Sequence, residues 1–173
     1  MDKAQLQRTQ APLKEQYRIE PQAAQLTLSA ESRAGEGVTC RLDTARGELT
    51  AGLHPATGGD GMALCSGDML LEALAACAGV TLKAVATAME VPLRDAVVRA
   101  EGELDFRGTL GVDKQVPVGF KAIRLQFRID SPASDEQLDT LIGLTERYCV
   151  VLQTLSQPPA VNIDRTRGAA AAQ

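Results

Sequence analysis

Tryptophan is absent from this 173-residue sequence, and aromatic residues make up only 3% of it. Stacking platforms for nucleic-acid bases are built from aromatic rings, so a site of that kind is not expected. Positive charge is also scarce, because 18 lysine and arginine residues stand against 22 acidic residues, for a net charge of −4. Nucleic acids and anionic membranes bind basic patches. The sequence therefore predicts neither of them as a partner.

Metal-binding residues are few and scattered. The sequence contains one histidine, His54, and four cysteines, Cys40, Cys65, Cys77 and Cys149, with no C-x-x-C pair. A structural zinc site uses short paired spacings, so we predict no metal and no other cofactor. The same scatter argues against a disulfide scaffold and favours free thiols or a catalytic pair.

No hydrophobic run is as long as a bilayer span requires. The opening "MDKAQLQRTQ" is polar and unlike a signal peptide. Within the apolar segment 66–91 the longest uncharged run is residues 73–82, which is about half of the ~20 residues that a span needs. We therefore expect a core helix in a soluble, cytoplasmic protein.

The domain organisation follows from composition. Residues 1–23 are polar, rich in glutamine and interrupted by Pro12 and Pro21, which predicts an arm that docks on the body of the protein or on a partner. Residues 24–165 are long enough for one domain with its own core. Residues 166–173 are expected to be a disordered tail.

Strands are predicted where polar and apolar residues alternate. The segments are residues 25–30, 37–43, 47–53, 97–106 and 122–130. In the last two, one set of alternate residues is apolar and the other is charged or polar, which is typical of an antiparallel sheet covered on one side. Strands and helices in blocks, without βαβ alternation, predict an α+β fold.

Two helices are predicted. The first begins after an N-cap at Ser66 and ends before Pro92. The second begins at Ser134, which forms a capping-box pattern with Gln137. Its apolar stripe runs through Cys149 to Leu152, and Pro158-Pro159 end the helix. Residues 160–164 are predicted as a last short strand.

The pattern alone leaves the role of the thiols open. A free cysteine most often packs as a small buried hydrophobic residue, and this applies to Cys77, Cys149 and Cys40. Cys65 lies near the start of a helix, which can lower a thiol pKa, but twelve helical residues separate it from Cys77 by about 18 Å. A disulfide needs Cα atoms within ~7 Å, so Cys65 and Cys77 cannot pair.

Cys77 and Cys149 can meet if their helices pack together. A buried thiol is normally inert, so chemistry at Cys77 requires a nearby cation. Arg33 and Arg41, in the predicted strands, are the natural donors.

Four segments resemble the OsmC/Ohr family of osmotically inducible and organic-hydroperoxide-resistance proteins. They are "GGDGMALCSGDMLLEALAACAGVTL", "EGELDFRGTLGV", "VPVGFKAIRLQFRID" and "ERYCVVLQTL", and the resemblance spans residues 25–163. It implies an intertwined α+β homodimer with two active sites at the subunit interface. It also implies a peroxidatic Cys77 that reacts with organic hydroperoxides, a resolving Cys149 and reduction by a lipoyl-type dithiol.

The resemblance also implies an activating arginine and a carboxylate that holds it. Arg33 matches the arginine best, and Arg41 is the second candidate. Asp68 is the nearest match to the carboxylate, one position from the usual pattern. The sequence departs from the family where Ser66-Gly67 replaces a helix-opening proline and where Val150 replaces a proline after the second cysteine.

Two alternatives remain at this stage. One is a non-enzymatic OsmC-like protein that binds a hydrophobic ligand at the dimer interface. The other is a different thiol-dependent reaction that uses Cys65.

Overall fold

The computed structural model describes residues 1–45 and 47–167. Residues 168–173, which make up most of the expected disordered tail, lie outside that part of the chain.

The described residues form a mixed α+β structure, which confirms the predicted fold class. The helices are α1 (Lys3–Ile19), α2 (Ser66–Met89), α3 (Phe106–Thr109), α4 (Asp135–Tyr148) and α5 (Val150–Ser156). The strands are β1 (Glu31–Ala34), β2 (Cys40–Thr44), β3 (Gly47–Gly52), β4 (Leu64–Cys65), β5 (Asp95–Glu103) and β6 (Ala122–Asp130).

The strands form two separate sheets. The first has the order β1-β2-β3-β4, with β4 parallel to β3 and the other pairs antiparallel. The second is the antiparallel pair β5-β6, in which Val98 lies opposite Phe127. Along β6, exposed and half-buried residues alternate strictly. The prediction of a sheet covered on one face is confirmed for this pair, although β5 ends at Glu103, before the predicted end at residue 106.

Helix α2 organises the core. Its four buried residues, Leu74, Ala78, Leu82 and Ala86, recur every fourth position and so form one stripe. The stripe packs against residues of the β5-β6 sheet and of the two C-terminal helices. Leu141 of α4 is fully buried against the C-terminal half of α2.

On the opposite face of α2, several apolar residues are not covered by the described part of the chain. Leu70, Ala73, Ala76 and Val80 are exposed, and Val80 is 73% exposed. By length and composition alone this helix could cross a membrane. Because α2 packs on β5, α4 and α5, it occupies the position predicted for a core helix.

The N-terminal arm is helical, and the predicted interruption at Pro12 is wrong. Helix α1 continues through Pro12 and begins with a capping box between Asp2 and Gln5. Helix α1 has no buried residue. Its Lys3 forms an ion pair of 2.8 Å with Glu90 at the end of α2.

The strand predicted for residues 25–30 is also wrong. Leu26 and Leu28 are 82% and 85% exposed, and the first paired strand begins at Glu31. A β-strand requires a neighbour that satisfies its backbone groups. Within the described chain no strand lies beside these residues.

The C-terminal region differs from the prediction at two points. The second helix is not continuous, because Cys149 has an extended backbone (φ −75°, ψ 104°) that separates α4 from α5. In addition, residues 160–164 form no strand.

Candidate thiol site

The two predicted cysteines meet between α2 and α5. Cys77 projects from the middle of α2, and Cys149 occupies the N-cap position of α5, where its side chain is fully buried. Both belong to the cluster that contains Leu74 and Ala78, and each thiol shifts the pKa of the other. Both are free thiols in this structure. The structure therefore brings together the cysteines that the sequence analysis selected.

The surroundings of Cys77 favour its thiolate. Burial raises the pKa of the Cys77 thiol, but four hydrogen bonds lower it, and the net pKa is below the ordinary value of a cysteine. The bonds involve the backbone N–H of Val151, the thiol of Cys149, the backbone N–H of Val150 and the hydroxyl of Thr81. Hydrogen bonds to a charged form stabilise that form.

The surroundings of Cys149 favour its protonated form. Burial raises the pKa of the Cys149 thiol, and the neighbouring Cys77 raises it further, against smaller opposing contributions from backbone N–H groups of α5. The pKa values of the two thiols are thus shifted in opposite directions. An anionic nucleophile beside a neutral thiol is the starting state that a two-cysteine reaction needs.

The predicted arginines do not lie at Cys77 within one chain. Arg33 is on β1, where it is 69% exposed and pairs with Glu31 at 3.2 Å and Asp43 at 3.8 Å. Arg41 lies directly across from it on β2 and pairs with Glu48 at 3.9 Å. In the described part of the chain, no arginine is among the groups that shift the pKa of Cys77.

Asp68 is also remote from Cys77 within one chain. It lies in the first turn of α2, and the nine intervening steps correspond to about 13 Å along the helix axis. It lines a cavity of about 570 Å³ at this end of the helix, together with Cys65, His54 and Lys121. Cys65 is itself the N-cap residue of α2, which corrects the predicted N-cap at Ser66.

Two aromatic contacts shape this cavity. The ring of Phe120 lies directly on Gly102, where any Cβ would clash with it. The ring of His54 stacks on Phe106 with 5.1 Å between centroids, and its Nδ1 accepts a hydrogen bond from the backbone N–H of Ala56 at 3.0 Å. Neither Cys77 nor Cys149 lines this cavity.

Sequence reasoning missed the groups that donate to Cys77. Thr81 lies one turn after Cys77 on α2, so its spacing could have indicated it. The N–H groups of Val150 and Val151 are available only because α5 begins anew after Cys149, since in a continuous helix they would bond to carbonyl groups of the preceding turn. No periodicity in the sequence indicates that break.

The contribution of one of these donors can be isolated by Val150→Pro. Proline has no N–H but suits the first position of a helix, and the extended backbone of Cys149 is the conformation that a residue before proline adopts. The lost side chain is 71% exposed. A hydrogen bond to a charged group contributes ~1.5–3 kcal/mol, so alkylation of Cys77 at neutral pH is expected to slow by about tenfold or more. Mass spectrometry of the Cys77 peptide after timed iodoacetamide labelling measures the rate.

Val150→Ala is the matched control for this prediction. It removes the same exposed side chain but keeps the N–H, so the labelling rate of Cys77 should equal that of the wild type. An unchanged rate in Val150→Pro would show that this N–H does not stabilise the thiolate.

Comparison with known proteins agrees with this architecture. The sequence pattern of the OsmC family, described as OsmC-like protein, matches residues 58–164. The chain belongs to the OsmC-like family. The match includes α2 with Cys77, the β5-β6 sheet and both C-terminal helices with Cys149. No curated protein matches the chain in sequence.

Solved structures of OsmC-like proteins share the fold at low sequence identity. An OsmC-like protein from Mycoplasma pneumoniae is 18% identical, with a TM-score of 0.64 over 77% of this chain and 89% of that chain. An organic hydroperoxide resistance protein OsmC from Legionella pneumophila is 19% identical, with a TM-score of 0.60 over 77% and 93%. An organic hydroperoxide resistance protein from Elizabethkingia anophelis is 15% identical, with a TM-score of 0.61 over 78% and 91%.

Proposed function

We propose that this OsmC-like protein is a thiol-dependent peroxidase that reduces organic hydroperoxides. The observation that supports the proposal most directly is the contact between Cys77 and Cys149, with the pKa of the first lowered and that of the second raised. Two solved relatives described as organic hydroperoxide resistance proteins support the substrate class. The roles of the individual residues are part of the proposal.

In the first step the Cys77 thiolate attacks the terminal oxygen of the hydroperoxide. The O–O bond breaks, the sulfur gains oxygen to become a sulfenic acid, and the alkoxide leaves as an alcohol once it has taken a proton. Sulfur is oxidised by two electrons and the peroxide is reduced by two. The lowered pKa of Cys77 serves this step because the thiolate is the nucleophile.

In the second step the sulfur of Cys149 attacks the sulfenic acid. A disulfide forms, and the Cys77 hydroxyl and the Cys149 proton leave as water. An external dithiol of the lipoyl type then exchanges with the disulfide, becoming a cyclic disulfide while both cysteines return to thiols. The direct contact of the two thiols means that little rearrangement separates the two oxidation states.

We further propose that the working form is a homodimer. The uncovered face of α2, which includes Leu70 and Val80, is an apolar surface that a second copy of this chain can bury. The first sheet is exposed along β1 and most of β3, so it is free to pack on a partner. In such a dimer, Arg33 of one chain activates Cys77 of the other, and Asp68 helps to hold it in place.

A peroxidase assay tests the function directly. The purified protein should consume cumene hydroperoxide and tert-butyl hydroperoxide in preference to hydrogen peroxide when dihydrolipoamide is the reductant. Monothiols should support slower turnover, since they must complete the exchange in two separate encounters. Consumption of the hydroperoxide and formation of the alcohol should occur in equal amounts.

Other outcomes of the assay point to other functions. No turnover with any peroxide and any reductant would contradict the proposal and favour a protein that binds a hydrophobic ligand. Turnover that is lost in Cys65→Ser but retained in Cys77→Ser would place the chemistry in the cavity at the start of α2.

A further inference from the structure

A side chain of α5 bonds to a carbonyl group in the last turn of α4. The Nε2 of Gln153 donates a hydrogen bond of 2.8 Å to the backbone carbonyl of Glu146, seven residues earlier and across the break at Cys149. In a continuous α-helix that carbonyl would accept from the backbone N–H of Val150, four residues later. The amide of Gln153 has taken the place of that N–H.

The break at Cys149 releases the backbone donor that would otherwise fill this place. The N–H of Cys149 still bonds to the carbonyl of Thr145 at 3.0 Å, so α4 is regular up to that point. Cys149 itself lies outside both helices, and within the described chain the next N–H, that of Val150, makes no helical bond back to Glu146. Helix α5 then starts with the bond from the N–H of Gln153 to the carbonyl of Cys149, at 2.9 Å. The N–H groups of its first turn are thus free for other partners.

The arrangement of the two thiols depends on this break. Cys149 has the extended backbone that ends α4, and its fully buried side chain shares one cluster with Cys77 and Val151. The N–H groups of Val150 and Val151 are among the groups that lower the pKa of Cys77. In a closed helix those N–H groups would bond to carbonyl groups of α4, and α5 would continue in the direction of α4.

We propose that Gln153 is a positioning residue for the thiol reaction: by occupying the carbonyl of Glu146 it maintains the break that keeps Cys149 and the start of α5 against α2. This inference rests on the proposed peroxidase function, because the two thiols are the reacting groups of that function. Gln153 acts through the backbone and does not itself change covalently. Without its amide, the carbonyl at the end of α4 lacks a donor, and the donor that a regular helix supplies is the N–H of Val150.

Gln153→Met tests the proposal, because methionine has nearly the same length and no N–H donor. Methionine is also a good helix former, so α5 should be retained. Labelling of Cys77 with iodoacetamide is measured by mass spectrometry from pH 5 to pH 10 in the full-length protein. The variant should label about two- to tenfold more slowly than the wild type near pH 7, in keeping with the loss of one hydrogen bond. It should reach the wild-type rate at high pH, where the thiolate is fully formed.

Gln157→Met is the matched control at the end of the same helix. Gln157 is the C-cap of α5, and its side chain is exposed and forms no hydrogen bond within the described chain. The labelling profile of Cys77 in this variant should equal that of the wild type.

Val150→Pro provides a background in which the break no longer depends on Gln153. Proline has no N–H to return to the carbonyl of Glu146, and its ring prevents a continuous helix. Adding Gln153→Met to Val150→Pro should therefore leave the profile of Val150→Pro unchanged. The proposal is overturned if Gln153→Met follows the wild-type profile, if it lowers the rate equally at every pH, or if it slows labelling as much in the Val150→Pro background as in the wild type.

The labelling test separates this inference from the peroxidase proposal, since it uses no hydroperoxide. A protein that fails the peroxidase assay but shows the Gln153 effect supports the positioning role and contradicts the function. A protein that turns over hydroperoxide and labels normally in Gln153→Met supports the function and overturns the role of Gln153.

Discussion

Cys77→Ser is expected to abolish hydroperoxide turnover. A serine hydroxyl is not ionised near neutral pH and does not attack the O–O bond, so the first intermediate should not form at residue 77. The loss should reach the detection limit of the dihydrolipoamide-coupled assay. Circular dichroism and thermal unfolding should match the wild type, because serine is close in size to the half-buried cysteine it replaces.

Cys149→Ser is expected to fail at the later step. Cys77 should still be oxidised by one equivalent of hydroperoxide, but no intramolecular disulfide can form. The sulfenic acid should then advance to sulfinic and sulfonic acids under excess peroxide. Mass spectrometry should show added oxygen on the Cys77 peptide, whereas the wild type should show a peptide pair linked through Cys77 and Cys149.

Cys40→Ser provides the control for both substitutions. Cys40 is a half-buried residue of β2 and lies in a different sheet from the thiol pair. Its replacement should leave turnover within a factor of about two. If Cys40→Ser reduced turnover as much as Cys77→Ser, the assignment of Cys77 would be wrong.

Arg33→Met is expected to have the next largest effect, through a dimer. An opposite charge close to an ionisable group can move its pKa by ~1–3 units, so loss of a partner's guanidinium should slow alkylation of Cys77 at neutral pH by roughly tenfold or more. Arginine suits this role because it stays charged when it is desolvated. Methionine keeps much of the apolar stem and removes only the charge.

Arg41→Met is the matched control, because Arg41 lies directly across from Arg33 on the neighbouring strand. A slower rate in Arg41→Met alone would transfer the role to Arg41. Sedimentation equilibrium should show a dimer at micromolar concentration for the wild type, for Arg33→Met and for Arg41→Met. A stable folded monomer would contradict the interface that brings the arginine to Cys77.

The parts of the structure that depend on local pattern were predictable. The alternation in residues 122–130 indicated β6 and its buried face, and the capping box of Ser134 and Gln137 marked the start of α4. In both elements neighbouring residues along the chain determine the structure, so the sequence contains the relevant information. Residue type and helix position left the roles of Cys77 and Cys149 open, and the resemblance to the OsmC/Ohr family selected them.

The predictions of secondary structure that were wrong share one cause: the structure at those places depends on residues that are distant in the sequence. Residues 25–30 alternate like a strand, but no strand among residues 1–45 and 47–167 lies beside them to pair with. The run from residue 134 to residue 156 has the period of one helix, yet the helix is interrupted at Cys149, whose side chain is fully buried. Local preference does not reveal either outcome, because the backbone partners and the cavity to be filled come from distant residues.

The sequence by itself determined that this protein is an α+β chain with one long apolar helix and two cysteines placed where they could meet. Only the tertiary structure decided what surrounds them. It put the backbone N–H groups of Val150 and Val151 and the hydroxyl of Thr81 at Cys77, and it left Arg33 on an exposed sheet. The reason is physical: residue types and spacings decide which groups are available, whereas the pKa of a thiol depends on distances and burial that exist only in the folded chain.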